Sequence, residues 1–205
     1  MSETNIRQIC VFCGASPGNA PHYIALAEKV GRSIAERGYG LVYGGGGLGL
    51  MGATARGTHE AGGEVLGIIP RFLTELEQVV TDAPHIIVET MHERKTLMYD
   101  KADAFIVLPG GIGTLEEAVE VMSWARLKLH AKPIVFLSQD GFWTPMRALL
   151  DHIVERRFAP SQLGQDMAFT SSVSGAFELI EQAWRERAER KVGPGVFADL
   201  DLDCL

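Results

Sequence analysis

Short, continuously apolar runs alternate with helix-length amphipathic stretches along nearly the whole chain, and that alternation leaves few folds open. Strand-like runs fall at residues 9–13, 40–43, 64–69, 86–89, 104–108 and 133–137. Helix-period patterns lie near residues 21–37, 50–61, 91–102, 113–129, 144–155 and 174–190. The strands lack the in–out alternation of a sheet with one wet face, so both faces must be covered. A βαβα order of such strands predicts an α/β fold: one Rossmann-like domain over residues 1–190, a doubly wound and mostly parallel sheet with helices on both faces. Residues 191–205, beginning Lys-Val-Gly-Pro-Gly and ending acidic, read as a loosely held tail. Residues 70–84 read as a loop or short helix crossing over the site.

A chain of 205 residues suits one such domain with a full core. The net charge of −7 argues against a nucleic-acid surface or an anionic membrane as partner. No apolar run approaches the roughly 20 residues that a membrane span needs. The first residues lack the basic and apolar regions of a signal peptide, which gives a cytoplasmic expectation. Cys10 and Cys13 form a C-x-x-C, but within a strand. Residues three apart on a strand point to opposite faces, so these cysteines read as buried apolar side chains rather than a redox pair. No Cys/His cluster has the spacing of a zinc site, and no metal or cofactor is expected.

Ligands of doubly wound sheets bind beyond the carboxyl ends of the strands. Three glycine-bearing turns fall there, at residues 14–18, 44–52 and 110–113. The second, Gly-Gly-Gly-Gly-Leu-Gly-Leu-Met-Gly, has two readings. Its backbone could approach ribose or phosphate at Gly45 and Gly46, or it could be a tight turn with close helix–sheet packing. It contains G-x-G-x-x-G, but the first βα turn lacks that fingerprint and no acid is placed for a ribose hydroxyl, so a nicotinamide cofactor is not expected. The third turn carries more. Pro109 ends a strand, Gly110, Gly111 and Gly113 follow, and Thr114 can donate a hydroxyl at the start of a helix. Backbone amides at a helix start form a seat for phosphate. Glu117 lies one turn further in, where the helix terminus favours its ionised form. It suits a base or a stabiliser of developing positive charge, not a general acid. Glu116 and Glu120 lie on another arc, a solvated or interface face.

Arg94 and Lys95 stand near the start of another helix, against the dipole preference, and that local conflict hints at function. Arg94 could fork onto a phosphate or a carboxylate.

These residues together resemble the LOG ("lonely guy") family, the cytokinin riboside 5′-monophosphate phosphoribohydrolases often mislabelled lysine decarboxylases. The signature P-G-G-x-G-T-x-x-E is matched without gaps over residues 109–117, and M-H-x-R-K over residues 91–95. The resemblance spans roughly residues 7–185. It implies hydrolysis of the N-glycosidic bond of N6-modified adenosine 5′-monophosphates, with no cofactor. It implies Arg94 and Glu117 as catalytic residues and Glu77 as an acid that meets the base. Phosphate and ribose contacts fall on Lys95 and on Gly110, Gly111, Ile112, Gly113, Thr114, Leu115 and Glu116. A family threonine is Ser123 here, which keeps the hydroxyl, and a family tyrosine between the glycines is Ile112. Arg94 either holds Glu117 in place or assists the leaving base. A homodimer is implied, with Trp124, Arg126 and Lys128 as interface candidates bordering the site. Three other readings stay open: a nucleosidase for plain AMP, a non-catalytic nucleotide-binding protein, and a lysine decarboxylase. The last would need a cofactor such as pyridoxal phosphate, for which no lysine has a recognisable context.

Overall fold

A computed structural model describes residues 7–74, 83–161, 163 and 167–192. Seven strands form one parallel sheet: β1 (Gln8–Phe12), β2 (Gly40–Tyr43), β3 (Val65–Pro70), β4 (His85–Val88), β5 (Ala104–Val107), β6 (Ile134–Leu137) and β7 (Met167–Thr170). Between and after them run α1 (Pro21–Glu36), α2 (Gly49–Glu60), α3 (Met91–Lys101), α4 (Ile112–Arg126), α5 (Thr144–Glu155) and α6 (Val173–Val192). The strand order is β4-β3-β2-β1-β5-β6-β7.

The continuous apolar strands have the cause expected of them. Ile9, Val11 and Cys13 pack with Leu26, Ala53 and Phe177 from α1, α2 and α6 on one face. Cys10 and Phe12 pack with Met98, Val121 and Met146 from α3, α4 and α5 on the other. Cys10 and Cys13 therefore lie on opposite faces of the sheet, both buried and both free. Each fully buried phenylalanine, such as Phe105 or Phe136, contributes roughly 1.5–3 kcal/mol by leaving water. Among the described residues no helix is long and apolar enough to cross a membrane.

β7 is a strand the pattern does not predict. Its four residues, Met-Ala-Phe-Thr, are too few and too mixed to stand out, and pairing with β6 alone defines it. All strands in the sheet are parallel, where the pattern had left room for an antiparallel one.

The strand order reverses direction at β1. From β1 the chain moves outward through β2, β3 and β4, then returns to the centre at β5 and moves the other way. β1 and β5 are neighbours, and the chain leaves them for opposite faces, into α1 and α4. A crevice opens between the two departing loops, residues 13–20 and 108–111.

Candidate active site

The crevice holds a cavity of about 390 Å³. One wall is the start of α4. Its N-cap is Gly111, in an extended conformation, which as a glycine supplies no side-chain cap to the first-turn amides. A Cβ added at Gly111 or Gly113 would meet nothing within 4 Å, and neither residue has a positive φ. The protein has no steric or conformational need for glycine at either position. What their bare backbones do is open the helix terminus to the cavity, which both residues line. Gly110 differs: a Cβ there would lie 2.2 Å from Thr114 Oγ1 and 2.9 Å from the Gly14 amide nitrogen. Its absence lets the loops after β1 and β5 close on each other, with Gly14 N donating to Pro109 O at 3.1 Å. Thr114 is buried and lines the cavity.

The opposite wall carries a buried ion pair. α3 begins with a capping box, Thr90-x-x-Glu93. Thr90 Oγ1 accepts from Glu93 N at 3.1 Å, and Glu93 Oε2 accepts from Thr90 N and Glu89 N. The next residue, Arg94, turns inward and is 6% exposed. Its Nη1 lies 3.0 Å from Glu117 Oε1. Nε donates to Ile68 O at 3.2 Å and Nη2 to Gly44 O at 3.5 Å. Glu117 is 7% exposed, and both residues line the cavity. The guanidinium is thus anchored to backbone on two sides and offers its third nitrogen to the carboxylate.

The charge of Glu117 is felt by the nearby thiols. Burial first, and then the Glu117 carboxylate, pushes Cys13 and Cys10 well above the ordinary thiol range. Cys13 lines the cavity as a neutral thiol, not a nucleophile.

The 44–52 run serves the protein itself. A Cβ at Gly44 would fall 2.0 Å from Arg94 Nη2, so this glycine makes the socket for the guanidinium. Gly45 has φ +83° and a Cβ there would meet Ile69 at 2.8 Å; Gly49 sits against the Ala15 carbonyl, and Gly52 against the Gly47 carbonyl. The first amides of α2 are also taken, Leu50 N and Met51 N both donating to Gly14 O. Gly45 and Gly46 are buried and do not line the cavity.

The remaining predicted residues scatter. Ile112 is 83% exposed, Glu116 and Ser123 are exposed, and Leu115 packs partly into the core beside the sheet. Lys95 Nζ meets Glu116 and Glu120 on α4 rather than the cavity. Burial pulls its pKa down, but hydrogen bonds and charge from the two glutamates outweigh that and hold it above the usual lysine value. Trp124 stacks edge to face on Tyr99 of α3, and Arg126 and Lys128 are exposed. Glu77 lies outside the described residues. Two rings that sequence reasoning missed, Tyr23 and Phe142, stand in the lining. Tyr23 Oη donates to Asp140 Oδ2 at 2.6 Å, and Phe142 N donates to Asp140 Oδ1. No local pattern marks them, because α1 and the loop before α5 meet only in the fold. Among the described residues no cluster of His, Cys, Asp and Glu could hold a metal.

Comparison with known proteins narrows the chemistry. A family model described as possible lysine decarboxylase matches residues 51–182. A cytokinin riboside 5′-monophosphate phosphoribohydrolase of Arabidopsis thaliana is 40% identical over 182 residues, 88% of this chain and 85% of its own. Another from the same plant is 44% identical over 185 residues, covering 89% and 84%. A probable enzyme of the same name from Oryza sativa subsp. japonica is 43% identical over 158 residues, 77% of this chain, and the chain spans 64% of that relative's length. Solved structures share the fold at lower identity. The molybdenum cofactor carrier protein of Chlamydomonas reinhardtii has a TM-score of 0.64 at 21% identity, covering 88% of this chain and all but 1% of its own. The molybdenum cofactor binding protein of Rippkaea orientalis has a TM-score of 0.66 at 23% identity, covering 88% and 98%.

Proposed function

The chain belongs to the LOG family, whose model carries the description possible lysine decarboxylase, and from that membership we propose that it hydrolyses the N-glycosidic bond of adenosine 5′-monophosphates, N6-modified ones included. The products are the free base and ribose 5-phosphate. The observation that carries this reading is one cavity holding both an uncapped, glycine-opened helix start and a buried Arg94–Glu117 pair.

Chemistry follows from that geometry. The 5′-phosphate docks on the first-turn amides of α4 at Gly111, Gly113 and Thr114, at the positive end of the helix dipole. Binding energy gained there, remote from the bond that breaks, orients the ribose. As the bond from the anomeric carbon to the base nitrogen breaks, its electron pair leaves with the base and the ribose gains oxocarbenium character. Glu117 faces that positive charge and orients the attacking water. The water oxygen bonds to the anomeric carbon, and its proton balances the departing base. Arg94, tied to the carbonyls of Ile68 and Gly44, keeps the Glu117 carboxylate from turning away.

Lysine decarboxylation is disfavoured by the lining: among the described residues no lysine faces the cavity to carry a Schiff base. A nucleosidase specific for plain AMP uses the same machinery. Chromatography of products from AMP and from N6-isopentenyl-AMP tests the reading. Release of free base is expected, and the ratio of kcat/KM for the two substrates separates the hormone-type activity from the general one. Intact nucleotide after prolonged incubation with both would overturn the hydrolase and leave a nucleotide-binding protein. A homodimer in solution, as the family implies, is read by sedimentation.

A further inference from the structure

Lys95 follows Arg94 on α3, and its ammonium goes elsewhere than the cavity. Nζ donates to Glu120 Oε1 at 3.0 Å and to Glu116 Oε1. Its side chain is 15% exposed. Successive helical residues diverge by about 100°, so Arg94 and Lys95 leave α3 in different directions. Glu116 and Glu120, four apart, share a face of α4, while Glu117 turns inward beside them. Two ties between the helices result: an inner, buried one from Arg94 to Glu117 and an outer, half-buried one from Lys95 to Glu116 and Glu120. Elsewhere α3 and α4 do not pack closely along their backbones. The Tyr99–Trp124 contact, with ring centroids 4.9 Å apart, holds their far ends. Near the cavity, the charged ties join the two helices beside the apolar side chains they share in the core, Met98 with Ala118 and Val121. Two carboxylates already engaged on Lys95 would also repel an arriving phosphate.

Resting on the hydrolase reading, we propose that Lys95 is a positioning residue that clamps α3 to α4 and so brings Arg94 and Glu117 into register, and that it is not a phosphate ligand. A partly exposed ion pair adds little to stability, whereas a shift of about 1 Å in a catalytic group can cost on the order of 100-fold in rate. The clamp therefore acts on rate more than on folding.

The test uses Lys95→Met, which keeps the apolar stem, and Lys95→Arg, which keeps the charge. In Lys95→Met, kcat for base release from AMP is expected to fall roughly 10–100-fold, with KM within about threefold of wild type. Lys95→Arg should recover most of that loss, because a guanidinium can still reach both carboxylates. The double variant Glu116→Gln with Glu120→Gln should lower kcat in the same way. A KM raised about tenfold at unchanged kcat in Lys95→Met would make Lys95 a direct ligand and overturn the proposal; so would unchanged kinetics. A crystal structure of Lys95→Met supplies a readout independent of substrate. Separation of Arg94 from Glu117 beyond hydrogen-bonding reach supports the clamp, and an undisturbed pair refutes it. If the wild type releases no base, the hydrolase reading fails and the crystallographic arm alone decides the clamp.

Discussion

Residues 44–52 and residues 110–113 are both glycine-rich turns from a strand into a helix, and both lie at the carboxyl edge of the same parallel sheet. They do opposite work. In the first, the missing side chains at Gly44, Gly45, Gly49 and Gly52 are each answered by a protein atom, and the helix amides are used by the Gly14 carbonyl. In the second, Gly111 and Gly113 are answered by nothing, and the helix start is uncapped. A glycine run is informative through what would occupy its absent Cβ atoms. Where protein fills the space, the run is packing; where the space is open beside an uncapped helix start, the run leaves room for something else. The first turn seats Arg94, and the second opens the start of α4 to the cavity, where the proposed phosphate would dock.

The largest expected effect lies on the pair that both turns serve. Glu117→Gln keeps the shape and removes the charge, and base release should fall about 10³-fold, measured under single turnover. Arg94→Ala should abolish release and also leave a buried carboxylate uncompensated, lowering unfolding free energy by roughly 3–5 kcal/mol in denaturant titration. Against a total of about 5–15 kcal/mol that is a heavy loss. The charge-removing variant is therefore the cleaner probe of chemistry.

Next come the glycines, where the two turns should separate. Gly44→Ala drives a methyl into the guanidinium, so kcat should fall and stability should drop by about 1–3 kcal/mol through overpacking. Gly113→Ala meets no protein atom. It should leave the melting temperature unchanged or raise it slightly, since alanine favours a helix over glycine by up to about 1 kcal/mol. Its cost should appear in KM, about 10–100-fold, the worth of one or two charge-assisted hydrogen bonds to phosphate. If Gly113→Ala lowers stability, or Gly44→Ala changes KM alone, the division between the turns is wrong.

The smallest effect concerns the rings at the cavity mouth. The Tyr23 hydroxyl, and after it the Phe142 amide and His22, hold the Asp140 carboxyl below its usual range. Its folded pKa lies below its unfolded one near 3.9. The stabilisation is therefore complete above that value and lost as pH falls through the folded one. Asp140 is partly exposed, so Asp140→Asn should cost under about 1 kcal/mol at neutral pH. It should also flatten the acid limb of a stability–pH curve below about pH 4.

Much of this molecule was legible in the chain. The doubly wound order and the apolar strands follow from periodicity, because burial on two faces writes itself into every residue of β2, β5 and β6; the edge strand β4 is as apolar but leaves Ile87 half exposed. The open turn into α4 at Gly111, Gly113 and Thr114 was legible because its signal is local: a strand end, a proline, glycines and a helix start. β7 was not, since an edge strand of four mixed residues owes its existence to β6. Gly45 shows the limit most clearly. Its sequence context suits a ligand loop as well as it suits packing, and only the approach of Ile69 separates the two.

By itself, then, the sequence determined the layer architecture, the places where the chain turns at the ligand-binding edge, and the residue types able to hold a phosphate and stabilise a cation. The tertiary structure decided which of them meet. Arg94 reaches Glu117 only because α3 and α4 lie on one face of the sheet and the Gly44 backbone yields room for the guanidinium. Lys95, one residue away, is turned by the helical pitch onto a different pair of acids. Short-range patterns encode the conformation of a segment; the distance between two side chains remote in sequence is set by how whole elements pack.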